Sequence, residues 1–513
     1  MGLIIAKLRK FGSDENGLAM ILVSIMLPVL IGFALLVIDG SRVNNLHNDL
    51  QKAADAFALA GAAELDGTVG SWARAERAMA TLIDNRSNFS TTGPTTLTAG
   101  QPGGAANCNS AGNISWCFLK NLPASDATAV AAANRANGVD TAAGQRETRF
   151  IEVTVTPATF NSIFPASFLT GNAASNTMTV GARAVAGFRS GVCDYTPVFI
   201  CNPYEDTSVT GGVTLEQAAQ SREYRRRQIL MRMNGFYMPG NFAFLEAPTG
   251  NGAQALEEMM ASTKPLACYS QEGVDTEPGQ MSGPVKNGLN ARFGLEKTYR
   301  TSDPQATNVR MGLKSVNCNN GNATWETDPA QGVGLNRDSC HISGTCTMMG
   351  GRMGAGDWDF NDTTNGYWPV NHRPGGVPRT ISSPPWGADK PTRYEVYRYE
   401  LDPNGDGNTS DSIVGDAAPS GETGLPICEG SGLAVPDRRI LYGAIIDCQA
   451  IEASGLKFTG KLTDVPVRAF GSFFITEPIK VDKDIFVELV DITGRGGRGT
   501  LDNFLRDEAQ LYR

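Results

Sequence analysis

The stretch DPNGDGNTSDSI, residues 402–413, places oxygen donors at the spacing of a calcium loop. Asp402, Asn404 and Asp406 stand at its first, third and fifth positions, and Gly407 follows at the sixth, where the chain must turn sharply. A hard cation such as calcium takes about 6–8 oxygen ligands at ~2.3–2.6 Å. The twelfth position calls for a bidentate Glu and holds Ile413; Asp411, at the tenth, is the nearest substitute. An Asn/Asp/Gly turn needs the same residues for its own hydrogen bonds. The plain turn is the favoured reading and no cofactor is expected, with calcium held by Asp402, Asn404 and Asp406 as the alternative. DWDFND, residues 357–362, repeats the alternation with Asp357, Asp359 and Asn361 but lacks the turn glycine.

Other chemistry is sparse. GRGGRG (494–499) spells a GxGxxG, but a dinucleotide site needs a further strand and an acid about 20 residues on, and the chain stops at Arg513. A Gly-rich turn, followed by a helix-like TLDNFLRDEAQLYR, is the expectation. The three histidines, His47, His341 and His372, are too few and too scattered for Ser-His-Asp or Cys-His catalysis. His341 lies between Cys340 and Cys346, where disulfide bonding is simpler than a zinc site lacking a fourth ligand. No nucleophile elbow and no phosphate-binding GxxxxGK[ST] is present. The expectation is a protein that is not an enzyme. REYRRR (222–227) is the one dense basic run, read as a solvated helix face or a contact for an acidic partner.

The elements that position these residues begin with an apolar run. Residues 18–38, LAMILVSIMLPVLIGFALLVI, carry no charge. As a helix they reach ~30 Å, the thickness of a bilayer core. A secretory signal has a shorter core, about 7–15 residues, closely followed by a small-x-small cleavage site; here the nearest match, Ala58-Leu59-Ala60, lies too far along. The run is therefore expected to stay as a transmembrane helix, with Pro28 tolerated as a kink. Ser24, Pro28 and Gly32 form a small-residue stripe that suits packing on another membrane helix. Lys7, Arg9 and Lys10 precede the run, which predicts a cytoplasmic N-terminus and an exported remainder.

Ten cysteines, Cys108, Cys117, Cys193, Cys201, Cys268, Cys318, Cys340, Cys346, Cys428 and Cys448, all lie beyond the run, as expected of disulfides in an oxidising compartment. Short spacings favour local bridges at Cys108/Cys117, Cys193/Cys201 and Cys340/Cys346, and sequence leaves the pairing open. A net charge of −9 argues against nucleic acid as a partner. Past Asp39, the residues Val43, Leu46, Leu50, Ala53, Phe57 and Ala60 step by three and four, one apolar seam on a continuing helix of ~70 Å in all.

The segment ENGLAMILVSIMLPVLIGFALLVIDGSRVNNLHNDLQKAADAFALAGAAEL resembles the N-terminus of TadE/TadG-like Flp pilus-assembly proteins. The matching residues are Gly17, Pro28, Asp39, Arg42, Leu50, Gln51, Ala53, Ala54, Asp55, Ala56, Ala58, Leu59, Ala60, Gly61 and Ala62. The resemblance implies a bacterial inner-membrane protein, N-terminus cytoplasmic and bulk periplasmic, that builds or anchors Tad/Flp pili. Its partners would be pilins, minor pilins or the Tad secretion machinery. A processed pilin carries a Glu five residues after the cleaved Gly; the fifth position after Gly17 is Leu22, which favours an uncut anchor of the TadG type over a minor pilin. Some TadG-like proteins carry a metal-dependent adhesion site, and DTSVT, with Asp206, Ser208 and Thr210, fits the start of that motif. A cation-dependent, adhesin-like surface binder is therefore the alternative function.

Four segments are expected: a tail at 1–17, the membrane helix at 18–38, a juxtamembrane helix with a small sheet at 39–190, and a disulfide-containing α+β region at 191–513. Within them the patterns predict helices at 71–87, 215–233 and 252–263 and a short one between strands at 149–157 and 176–188. A loop is expected at 88–115, and further strands at 394–400, 438–447 and 465–490.

Overall fold

The computed structural model describes residues 15–512 apart from 66–68, 83–84, 124, 126, 140, 207, 209, 233–240, 248–251, 263–266, 271–272, 280–281, 296–304, 320–321, 429–434, 454, 459, 481–483, 495 and 502–504. The chain forms two units, residues 1–189 with 507–513, and residues 190–506. The architecture is α+β: one long N-terminal helix, then mixed helices and sheets crossed by disulfides.

In the first unit a single helix, α1 (Glu15–Ala62), runs through Pro28 without interruption. Its 48 residues extend for ~72 Å. Its two halves differ because their sequences differ. From Met20 to Ile38 the large apolar side chains stand exposed. From Leu46 onward the seam is buried as far as Phe57, with Ala60 half-buried: Leu46, Leu50, Ala53 and Phe57, and Ala62 beyond them, lie with Trp72, Met79, Trp116, Phe118, Ile151 and Val153 in one core. Helix α2 (Ser71–Ala80) covers one side. An antiparallel sheet covers the other, built from β1 (Cys108–Ala111), β2 (Ile114–Leu119), β3 (Phe150–Asn161) and β4 (Thr177–Cys193) in that spatial order. The C-terminal strand Leu505–Leu511 also pairs with β4. Strand β3 alternates buried Ile151, Val153 and Val155 with partly exposed Glu152 and Thr154, as a sheet with one face on a core must. A short helix, α3 (Ala166–Thr170), lies between β3 and β4.

The second unit is organised on a five-stranded sheet. Its order is β5 (Phe199–Cys201), β7 (Ile440–Ile446), β8 (Ala469–Ile475), β9 (Ile485–Ile492) and β6 (Gln228–Arg232). Only β5 and β7 run parallel. Every residue of β8 and β9 is buried, because both faces are covered. Ile485, Val487 and Leu489 face one core with helices α4 (Ala253–Ala261) and α5 (Ser282–Ala291). Val490 and Phe474 face a second, aromatic core with Trp358, Trp368, Tyr397 and Trp386. Helix α6 (Arg393–Leu401) belongs to that second core.

Several expected elements differ. The helix at 71–87 ends at Ala80, and Arg86–Ser87 is a short strand. The loop at 88–115 contains β1 and the start of β2. The helix at 215–233 is two short helices, Leu215–Gln220 and Arg222–Arg225, followed by β6. Residues 394–400 are helical. Their Tyr/Val alternation mimics a strand, but Thr392 accepts a hydrogen bond from the Glu395 backbone N–H while Glu395 accepts one from Thr392 N–H. That reciprocal cap starts a helix. Among the described residues, the segment after the glycine run holds the strand Leu505–Leu511, where a helix was expected and where a dinucleotide fingerprint needs one.

All ten cysteines pair: Cys108–Cys117, Cys193–Cys268, Cys201–Cys448, Cys318–Cys428 and Cys340–Cys346. The local bridge expected at Cys193/Cys201 is therefore corrected. Cys193 ends β4 and sits opposite Cys268 in register, whereas Cys201 ends β5 in the other sheet and reaches Cys448 just beyond β7.

Candidate functional site

The apolar and buried halves of α1 meet at Asp39. This carboxylate is 3 % exposed. It accepts hydrogen bonds from Ser162 Oγ and from the Phe164 backbone N–H, each at 2.6 Å. Arg42, one turn further on, reaches it at 3.3 Å. The Arg42 guanidinium in turn lies over the Phe160 ring, 4.8 Å from its centroid. Burial alone would raise the Asp39 carboxyl, but the donors from Phe164 and Ser162, with Arg42, bring it below the ordinary carboxylate value. The result is a clamp: the turn of α1 just past the apolar run is fastened to the 162–164 loop between β3 and β4.

Beyond the clamp, α1 is held by close packing of small residues. Gln51 Nε2 bridges Asp55 and the Arg183 carbonyl. At Gly61 a Cβ would stand 2.8 Å from Ile151 Cδ1 and 3.3 Å from Met79 Sδ, so the sheet and α2 approach the helix more closely than a larger residue permits. The small-residue face at 53–63 is thus spent within its own unit. Inside the apolar run, Ser24 Oγ donates back to the Met20 carbonyl, Pro28 continues the helix, and Gly32 faces the Phe164 ring.

The metal candidates fall as follows. Asp402, Asp406 and Asp411 each bring a carboxylate oxygen to within 4.8 Å of the other two. Asp402 also accepts from the backbone N–H groups of Gly405, Asp406 and Gly407, and Asp406 from that of Asn408. Both Asp411 oxygens are shut off from solvent without a hydrogen-bond partner. Three carboxylates with one sealed and uncompensated form a donor set that fits a hard cation. Asn404, at the loop's third position, is exposed. Elsewhere, the Asp206 carboxylate accepts from the Ser208 N–H, and Thr210 Oγ1 donates to the Asp206 and Val213 carbonyls, so these oxygens serve the loop itself. Asp357 binds Ser339, and Asp359 accepts from Asn361 N–H.

REYRRR is not a solvated face. Arg225 and Arg226 are buried, Arg222 forks onto Glu395 and meets Asp389, and Arg227 stacks over Tyr224. These charges are spent inside the second unit. A polar network that sequence reasoning missed surrounds His372. Its Nε2 lies 2.7 Å from Glu400 and its Nδ1 3.1 Å from Asp416, with Tyr367 donating to Glu400 and Arg379 forking onto Asp416. The imidazole is sealed in the aromatic core against Trp368, which marks it as a structural tie. His341 is bonded to the Gln228 carbonyl, and burial lowers its pKa.

The segment that carries the clamp is also the segment that known proteins share. Residues 17–64 match the Tad family model, Flp pilus-assembly TadE/G-like. The match covers the apolar run, Asp39, Arg42 and the buried seam of the TadE/G-like helix, and ends near the close of α1. No curated protein and no solved structure matches the chain. Among the described residues, this TadE/G-like helix is also the one long and apolar enough to cross a membrane.

Proposed function

We propose that this protein is a membrane-anchored, non-enzymatic component in the assembly or anchoring of Tad/Flp pili, of the TadG type. The observation that carries the reading is α1: a helix matching a pilus-assembly family, exposed and apolar in one half and the core of a folded unit in the other. The clamp at Asp39 makes those halves one lever, so the first exported unit is held at the membrane rather than tethered by a linker. Lys7, Arg9 and Lys10 favour a cytoplasmic tail and a periplasmic bulk behind the inner membrane, and the five disulfides suit that compartment. Pilins, minor pilins or the secretion machine are the partners, and nucleic acid is not. Deleting the chain in its host and counting surface Flp filaments tests this. Loss of piliation, restored by the full chain but not by one lacking residues 18–38, is expected; unaltered piliation overturns it.

A second reading, a cation-dependent surface binder, is favoured by one observation, the sealed and unpartnered carboxylate of Asp411 facing Asp402 and Asp406. Calcium would be held by those three groups and would offset their mutual repulsion. Calcium at about 1 mM, an extracellular level, is then expected to raise the thermal midpoint of the disulfide-intact chain. Asp402→Asn combined with Asp406→Asn should abolish the rise. An unchanged midpoint removes the reading.

A further inference from the structure

We infer that the loop joining β3 to β4, residues 162–176, is seated in the exported-side leaflet of the bilayer beside the apolar half of α1. This rests on the anchor reading above. The geometry comes from Gly32. A Cβ placed there would lie 3.6 Å from Phe164 Cε2, so Phe164 packs against the helix inside the apolar run. Gly32 stands six residues before Ile38, ~9 Å along the helix. The span cannot simply stop short of Phe164. From Leu18 to Gly32 a helix covers ~21 Å, well under the ~30 Å of a bilayer core, and Asp14 and Glu15 bar an extension on the other side. With α1 spanning, a loop fastened at Gly32 lies below the membrane surface, at the ~5–10 Å depth that interfacial segments occupy.

The loop's chemistry fits a lipid occupant. No charged residue occurs anywhere in 153–182, while Glu152 and Arg183 stand at its borders. Ile163, beside Phe164, is 52 % exposed, an apolar side chain with water as its neighbour unless lipid covers it. Polar groups at membrane depth must be satisfied internally, and several of the loop's are. Ser162 N–H donates to the Asn176 carbonyl, Ala166 N–H to the Phe164 carbonyl and Gly171 N–H to the Ser167 carbonyl. The Asn176 side chain accepts from Ser167 N–H and donates to Ser167 Oγ, and the Phe164 N–H is taken by Asp39. The surface is continuous with the apolar face of α1, which commits it to the same lipid.

The test places a nitroxide on single added cysteines in the full-length chain, reconstituted in phosphatidylethanolamine–phosphatidylglycerol vesicles with its ten native cysteines paired. Ile163→Cys and Thr170→Cys report the loop, Leu27→Cys the span and Val139→Cys, at a 99 % exposed position, the aqueous phase. Collision with dissolved oxygen, which favours lipid, is compared with collision with a water-soluble nickel complex. The expected result is a loss of nickel collisions at 163 and 170 towards the value at 27. Labels at 163 and 170 as open to nickel as that at 139, with 27 still in lipid, overturn the inference alone. A label at 27 open to nickel overturns the anchor reading, and this inference with it.

Discussion

Arg393 is fully buried between Asp338 and Glu488, at 2.8 and 2.7 Å. Glu488 points at it because β9 alternates: Val487 and Leu489 take the other face. Arg393→Met would strand two buried carboxylates, a loss of about 3–5 kcal/mol, measurable as an earlier urea transition; Glu488→Gln in the same chain should recover part of it. Asp416 gives a pH dependence. Burial would raise its carboxyl, but His372 and Arg379 hold it far below its ordinary 3.8. A depressed acid stabilises the fold in full above its unfolded value and loses that contribution as pH falls through the native one. Stability should therefore decline below about pH 4, and Asp416→Asn should lower the thermal midpoint at pH 7 while flattening that acid decline. The carboxylate cluster of Asp402, Asp406 and Asp411 falls in the stretch the spacing singled out because those groups are sequence neighbours. The His372 network was not legible, since its partners stand 28 and 44 residues away and only folding brings them together.

Elements were legible where periodicity was unopposed. The run at 18–38 and the seam to Ala60 give one helix because each supplies an uninterrupted pattern, and β3 shows its alternation directly. Residues 394–400 were misread because alternating aromatics outweighed the Thr392/Glu395 cap, a signal that was present in the sequence. Cys108–Cys117 and Cys340–Cys346, 9 and 6 residues apart, were within reach of spacing; Cys193–Cys268, Cys318–Cys428 and Cys201–Cys448, closing 75, 110 and 247 residues, were not. Replacing both Cys201 and Cys448 with Ser should cost about 4 kcal/mol, read as a lower denaturation midpoint of the chain. The clamp makes a local prediction. Asp39→Ala removes two charge-assisted acceptor contacts and leaves Phe164 N–H unpaired, about 2–3 kcal/mol. Faster amide exchange at 162–164, with the β1–β2 hairpin unaffected, is the expected signature; unchanged exchange at Phe164 would show the clamp to be idle.

On the scale of the molecule, the question is whether α1 ends as an anchor or enters a filament. A helix that enters a filament must offer its neighbours an open face. Here Leu46, Leu50, Phe57 and Ala62 are already covered by the chain's own sheet, and Gly32 by Phe164. Position 22 is Leu, so a cleaved N-terminus would find no carboxylate partner in an apolar filament. Both arguments predict that the protein in membranes keeps residues 1–17. Intact mass of the protein extracted from membranes decides it. A chain beginning at or next to Met1 accords with a fixed anchor. A chain beginning at Leu18 would mean processing despite Leu22, and the covered seam would then have to open, or leave the membrane half of α1 alone to make the filament contact.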